Sequence, residues 1–379
     1  MEARKAMRIF IFLTIFTMIS DRLLFVIFPT YLIDKNFSAT EIGIIFSFGA
    51  LFLVMLRTFI GRLSDKYGRK NVLSLGLLIS SVTTSIYPFI SKLYQFAIVK
   101  GLQEVGITLK ESVEDSIQAD AFPKNERPRY LITLGKVFPL SRALAALVGI
   151  IVTTYLSLIY GFYIAAISMF IAFLVFFIFY KEDKIKTKSK AKDKKFNPLK
   201  YPNKVIFIAL VGFLTSLVYG ILYAPAFFIL GEKTLGIAPN IIFLLLLMSY
   251  IVSTVFIHAA EKKAKNFGKK PVLVAATIFF AIFSFLYAAS NFILFSLALL
   301  GIAITFYFWR ISYKTIAMDS ATPSERGEQL GFVKTMQGIG NILGPLAGGI
   351  LIDAYSIQMP FIVGGFIFLS TTLLILKSL

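Results

Sequence analysis

Residues 107–120 read ITLKESVEDSIQAD, and five of the fourteen are charged: Lys110, Glu111, Glu114, Asp115 and Asp120. The stretch lies in a chain of 379 residues that is 57% hydrophobic and holds 40 Phe. If it is a soluble loop, the apolar segment before it is only LYQFAIVKGLQEVGITL (93–109), which is short and already carries Lys100, Gln103 and Glu104. If it is helix, a dense set of charges enters the region of the bilayer. The fold turns on that choice.

Soluble domains carry about 25% charged residues; here the share is 16%, and the charges bunch between long apolar runs. A membrane span needs roughly 20 mostly apolar residues. With that window, candidate spans fall near 7–33, 41–61, 72–90, 93–120, 128–154 and 160–180, then near 204–230, 240–260, 272–290, 292–319, 327–352 and 357–377. The first is too long, and too well followed by others, to be a cleaved signal peptide. The expected class is therefore an all-α, polytopic membrane protein with twelve transmembrane helices.

The net charge of +19 raises the question of nucleic acid, and its distribution answers it. Of the 39 Lys and Arg, 23 fall in the termini and loops of one side, three in the opposite loops (Lys35, Lys92 and Lys233) and 13 within the spans. That asymmetry places both termini in the cytoplasm of a plasma-membrane protein. The basic excess reports topology and attraction to membrane lipid, with no nucleic-acid partner expected. Cysteine is absent, which removes disulfides and thiolate metal sites. No phosphate loop, metal-ligand spacing or nucleophile–base pair is present, so the chain reads as a monomer without cofactor or metal and not as an enzyme.

The run KEDKIKTKSKAKDKKFNPLKYPNK (181–204) has ten Lys against three acids and reads as a solvated linker. It divides the chain into 1–180, a basic linker over 181–203, and 204–379. The two parts echo each other. GRLSDKYGRK (61–70) corresponds to EKKAKNFGKK (261–270), with Gly68 on Gly268 and Arg69-Lys70 on Lys269-Lys270. DAFPKNER (120–127) corresponds to DSATPSER (319–326), so Asp120 falls on Asp319. Internal repeats of this kind build many secondary transporters, with the solute site near the midplane between the repeats.

At this point GRLSDKYGRK resembles, at every position, the loop 2–3 signature of the major facilitator superfamily, G-x-L-[AS]-D-[RK]-x-G-R-[RK]. The likeness extends over the whole chain and implies two pseudo-symmetric six-helix bundles. Gly61 permits close helix approach and Gly68 a positive-φ turn. The resemblance further implies a conformational latch. In it Asp65 holds the start of helix 11, where Thr322-Pro323-Ser324-Glu325 reads as N-cap, N1 proline and N3 acid, and Arg69 pairs with Asp120.

The repeat settles 107–120 as helix, because Asp319 closes span 10 and Asp120 is its counterpart. Lys100, Glu104, Thr108, Glu111, Asp115 and Gln118 then recur every three or four residues as one polar stripe, and Lys110–Glu114 is an i,i+4 pair. Each lipid-facing charge at mid-bilayer costs about 2.5–3.5 kcal/mol, so the stripe must face water or other charges. The family resemblance implies a central cavity lined by helices 1, 4, 7 and 10. Partners are Arg310 and Lys314 on span 10, at positions equivalent to about Glu111 and Asp115, with Arg142 on span 5 and Asp21 on span 1.

Asp21, Lys110, Glu111, Glu114, Asp115, Arg142, Arg310 and Lys314 are thus the candidates for binding a small-molecule solute and coupling it to protons. Asp21 and Glu111 are the candidate proton carriers, since a desolvated carboxylate holds its proton more readily. The competing reading makes the same charges permanent ion pairs that only hold helices together. Trp309, beside Arg310, is a weaker candidate for stacking on a solute. Drug–proton antiporters of the superfamily carry a glycine-and-proline motif in span 5. The corresponding SRALAALVGI (141–150) has Arg142 and alanines instead, which favours a polar or ionic solute, with drug or metabolite efflux as the alternative.

Overall fold

The computed structural model describes residues 3–122, 127–181, 201–322 and 325–378; residues 182–200 of the basic linker lie outside them. In chain order the helices are α1 (Ala3–Asp34), α2 (Ala39–Tyr67), α3 (Arg69–Ile86), α4 (Leu93–Ala121), α5 (Arg127–Tyr155) and α6 (Leu158–Phe179). They continue with α7 (Asn203–Ile221), α8 (Pro239–Phe267), α9 (Lys269–Ala288), α10 (Phe292–Ser320), α11 (Arg326–Ala354) and α12 (Met359–Ser378). Among the described residues there is no strand, and ten helical segments are long and apolar enough to cross a membrane. Hydrocarbon leaves a backbone N–H or C=O no water to bond to, so helices that satisfy themselves are the expected solution. α4 is one unbroken helix of 29 residues through 107–120, as the repeat requires, and its charge keeps it out of that apolar set.

The chain forms two compact units: Met1–Tyr31 with Phe48–Asp193, and Leu32–Ser47 with Lys194–Leu379. In the first unit α3 packs on α4 and α6, and α6 on α5. Glycine permits the α3–α4 approach: a Cβ on Gly76 would stand 2.6 Å from the Gly106 carbonyl. One aromatic cluster of this unit gathers Phe10, Phe122, Phe176 and Tyr180, and a second gathers Phe28, Tyr87, Phe96 and Phe162.

In the second unit α9 packs on α10 and α12, the counterparts of α4 and α6, and α8 packs on α10. α11 lies along α7 through GIGNILGPLAGG, the small-residue surface expected for close packing. A Cβ on Gly348 would sit 2.6 Å from the Ile221 carbonyl. The turns α2–α3 and α8–α9 repeat each other in backbone as in sequence, with Gly68 at φ 85° and Gly268 at φ 87°. Side chains strain in that left-handed region, so both positions call for glycine.

Two boundaries differ from the sequence reading. Span 7 was expected to be continuous over 204–230, but α7 stops at Ile221 and gives way to wider turns through Thr234, with Ala224 at φ −137°, ψ 110°. Pro225 is the cause, since the ring of a proline drives the preceding residue out of the helical region. Helix 11 begins at Arg326, after Glu325, rather than at Thr322. The reason lies in Gln329, whose Nε2 donates to Thr322 Oγ1 at 2.9 Å while its Oε1 accepts from the Thr322 N–H at 2.9 Å. That occupies the hydroxyl assigned to the cap; Pro323 and Ser324 lie outside the described residues.

Candidate functional site

In the first unit α4 carries the charges in two groups. Nearer its start, Lys100 Nζ pairs with Glu104 at 2.8 Å, one helical turn on, and donates to Gln103 Oε1 at 3.0 Å. Gln103 is 3% exposed, accepts a second hydrogen bond from the Tyr87 hydroxyl at 2.9 Å and donates to Thr84 Oγ1 at 3.1 Å. The Lys100 ammonium also lies 5.7 Å from the centre of the Phe28 ring. A Cβ on Gly49 of α2 would come within 2.9 Å of Lys100 Cγ, so that glycine leaves the room for the pair. Tyr87 and Thr84 carried no signal in the sequence. The YPF turn (87–89) offers no periodicity to place a hydroxyl, and only the Lys100–Gln103–Glu104 spacing pointed here.

Two turns further along, the structure brings together four of the predicted residues. Lys110 is 8% exposed, and the charges acting on its ammonium are those of Glu114, Asp21 of α1 and Glu111, in that order. Asp21 is half-buried, Glu111 is exposed, and Glu114 is half-buried and accepts from Gln118 Nε2 at 3.2 Å. Thr108 is buried and donates back to the Glu104 carbonyl at 2.6 Å, spending its hydroxyl inside the helix. Arg142 of α5 is half-buried with its guanidinium 5.8 Å from the Phe138 ring centre. The side chains of Gly61, Asp65, Asp115 and Asp120 lie outside the described residues.

In the second unit Arg310 and Lys314 are exposed on α10. Trp309 is buried and stacks on Tyr313 with ring centres 4.6 Å apart, and the Tyr313 hydroxyl donates to the Ile208 carbonyl of α7 at 3.1 Å. The indole therefore packs in the interior of its own unit beside the α7–α10 contact. Lys269 Nζ pairs with Asp319, at the positions equivalent to Arg69 and Asp120, for which the sequence led to the same expectation. In the second unit this pair ties the helix 8–9 turn to the end of α10.

A polar anchor not read from the sequence ties the end of the linker to α11. Tyr201 is 6% exposed, lies against Phe332 and donates from its hydroxyl to Glu328 Oε1 at 2.6 Å. Burial, then the hydrogen bond to the Glu328 carboxylate, pushes the phenol up to about 12. Among the described residues no group of three or more His, Cys, Asp or Glu is placed to hold a metal ion.

Long apolar helices around buried charge define a multi-pass membrane protein. A family model described as Major Facilitator Superfamily matches residues 10–260 and 208–379, and the chain belongs to that family of transporters. Multidrug resistance protein 2 of Bacillus subtilis (strain 168) is 24% identical over 350 residues, which span 90% of this chain and 87% of that protein. A mutant of the nucleoside transporter NupG superposes with a TM-score of 0.87 at 16% identity, covering 98% of this chain and 99% of that one. A D-xylose-proton symporter superposes with a TM-score of 0.76 at 14% identity, covering 100% of this chain and 97% of that one. At such identities the two solved structures share the fold.

Proposed function

We propose that the chain is a secondary active transporter that moves a small polar or charged organic solute across the plasma membrane by alternating access, driven by protons. The observation that carries this reading is Lys110, buried on α4 under the charges of Glu114, Asp21 and Glu111. Charge at that depth is costly and marks ion and solute pathways. Each of the carboxylates that face this ammonium is a group that a bound proton can neutralise. Glu111, the exposed member, takes its proton from water, and the half-buried Asp21 is the second carrier.

In this reading all twelve helices cross the membrane as two six-helix halves about the basic segment 181–203, with both termini cytoplasmic. The protein works as a monomer among membrane lipids, and nucleic acid has no part in it. Asp115 and Arg142 complete the coupling set, and Arg310 and Lys314 supply cations to an anionic group of the solute. Gly61, Asp65, Gly68, Arg69 and Asp120 form the conformational latch.

Proteoliposomes test the proposal, with a solute chosen by thermal-shift screening of the purified protein. A pH gradient drives accumulation in the wild type, and Glu111→Gln or Asp21→Asn abolishes that dependence. Asp65→Asn slows flux while folding and insertion are kept. Flux that ignores the gradient and survives both carboxylate variants overturns proton coupling through these residues. The likeness to Multidrug resistance protein 2 favours a second reading, export of drugs or metabolites on the same fold. Expression in a drug-sensitive host separates the two: export raises resistance and lowers cellular drug content, whereas uptake of a polar solute does neither.

A further inference from the structure

An apolar recess on the flank of the second unit, formed by α8, α9 and α10, holds about 500 Å³. Its α9 wall is Pro271, Ala275, Phe279 and Phe283, spaced four residues apart on one helical stripe. Gly301 of α10 forms the far end, because a Cβ there would collide with the Phe283 ring, and that absence lets the ring lie across the groove. At the near end stands Lys263 of α8, its ammonium 4.7 Å from the Phe267 ring centre.

Length and charge together name an occupant. From Pro271 to Phe283 the α9 wall rises about 18 Å at 1.5 Å per residue, against about 15 Å for half of a 30 Å hydrocarbon core. The groove therefore runs from a basic membrane surface to the bilayer middle, the reach of one lipid tail. At the surface end Lys269 pairs with Asp319 and Lys270 donates to the Leu376 carbonyl at 2.9 Å. Lys263, by contrast, pairs with no acid among the described residues, and the neighbouring Lys262 and Lys265 are exposed. A cation at headgroup depth over a tail-length apolar groove fits an anionic glycerophospholipid. We propose that the groove binds one acyl chain of such a lipid, with the phosphate held at Lys263.

Native mass spectrometry of the detergent-purified protein with dioleoyl phosphatidylglycerol or dioleoyl phosphatidylcholine tests this. The wild type retains one phosphatidylglycerol in preference to phosphatidylcholine. Ala275→Trp fills the groove and weakens both lipids by at least about ten-fold, the equivalent of two methylenes losing their burial. Lys263→Gln leaves phosphatidylcholine unchanged and weakens phosphatidylglycerol about five-fold, one surface charge's share. Wild-type lipid retention by a folded Ala275→Trp overturns the proposal. So does an undiminished phosphatidylglycerol preference in Lys263→Gln, which decides the matter alone if the tryptophan variant does not fold. A dimer in light scattering that Ala275→Trp disperses assigns the groove to a second copy and also overturns it.

Discussion

Tyr201 shows how a single buried side chain becomes legible only with the fold. Its hydroxyl donates to Glu328 at 2.6 Å, and the folded protein raises its pKa from the ordinary 10.0 to about 12. The neutral phenol is the form the fold holds, so its stabilisation is complete below pH 10 and is lost as the pH climbs from 10 through 12. Tyr201→Phe removes a hydrogen bond to a charged acceptor, which is worth about 2 kcal/mol. Thermal unfolding should show the wild type ahead of Tyr201→Phe by that amount below pH 10, the gap closing above it. A gap that does not change with pH contradicts this account of the pair. Lys110 illustrates the same limit. Its spacing to Glu114 is written in the helix, but its exposure to Asp21 depends on where α1 lies beside α4.

At the scale of elements, the start of α2 belongs with α11. Ser38 and Glu41 form a local capping box, and Asp353 adds to it by accepting from the Thr40 N–H at 2.8 Å and the Ala39 N–H at 3.3 Å, from 313 positions away. The backbones meet closely: a Cβ on Gly349 would reach the Ala39 carbonyl and lie 2.7 Å from Thr40 Cα. Asp353→Ala should cost about 1 kcal/mol, a typical cap loss, while Asp353→Asn keeps most of it. Gly349→Val should cost more, since backbone cannot yield as a side chain does, in the range of about 1–3 kcal/mol for an overpacked contact. Thermal unfolding, with hydrogen exchange at Ile42 and Gly43, measures both; equal stability in all three variants would refute the capping role. Periodicity and turn glycines made the helices themselves readable, down to the paired Gly68 and Gly268. The Asp353 contact was not readable, because nothing local to Asp353 or Ala39 records their meeting. The break after Ile221 was readable in principle, as Pro225 sat inside the proposed span.

The whole molecule returns to ITLKESVEDSIQAD, since the topology depends on whether α4 crosses the membrane. The chain has no cysteine, so one introduced thiol reports one position. Ser91 precedes α4 and Thr234 follows α7, both exposed, and neither change disturbs the lysine distribution that orients the chain. If α4, α5, α6 and α7 all cross, an even number of crossings separates the two positions and they share a face. If α4 stays out, they lie on opposite faces. On intact cells a membrane-impermeant maleimide should label Ser91→Cys and Thr234→Cys alike. Lys181→Cys after α6 and Asn266→Cys after α8 should label only once the membrane is permeabilised. Labelling of 91 and 234 on opposite faces would remove α4 from the bilayer, and with it the case for a buried Lys110 that handles solute and protons. Labelling of 181 and 266 from outside would instead invert the chain and show that its lysines do not set its orientation.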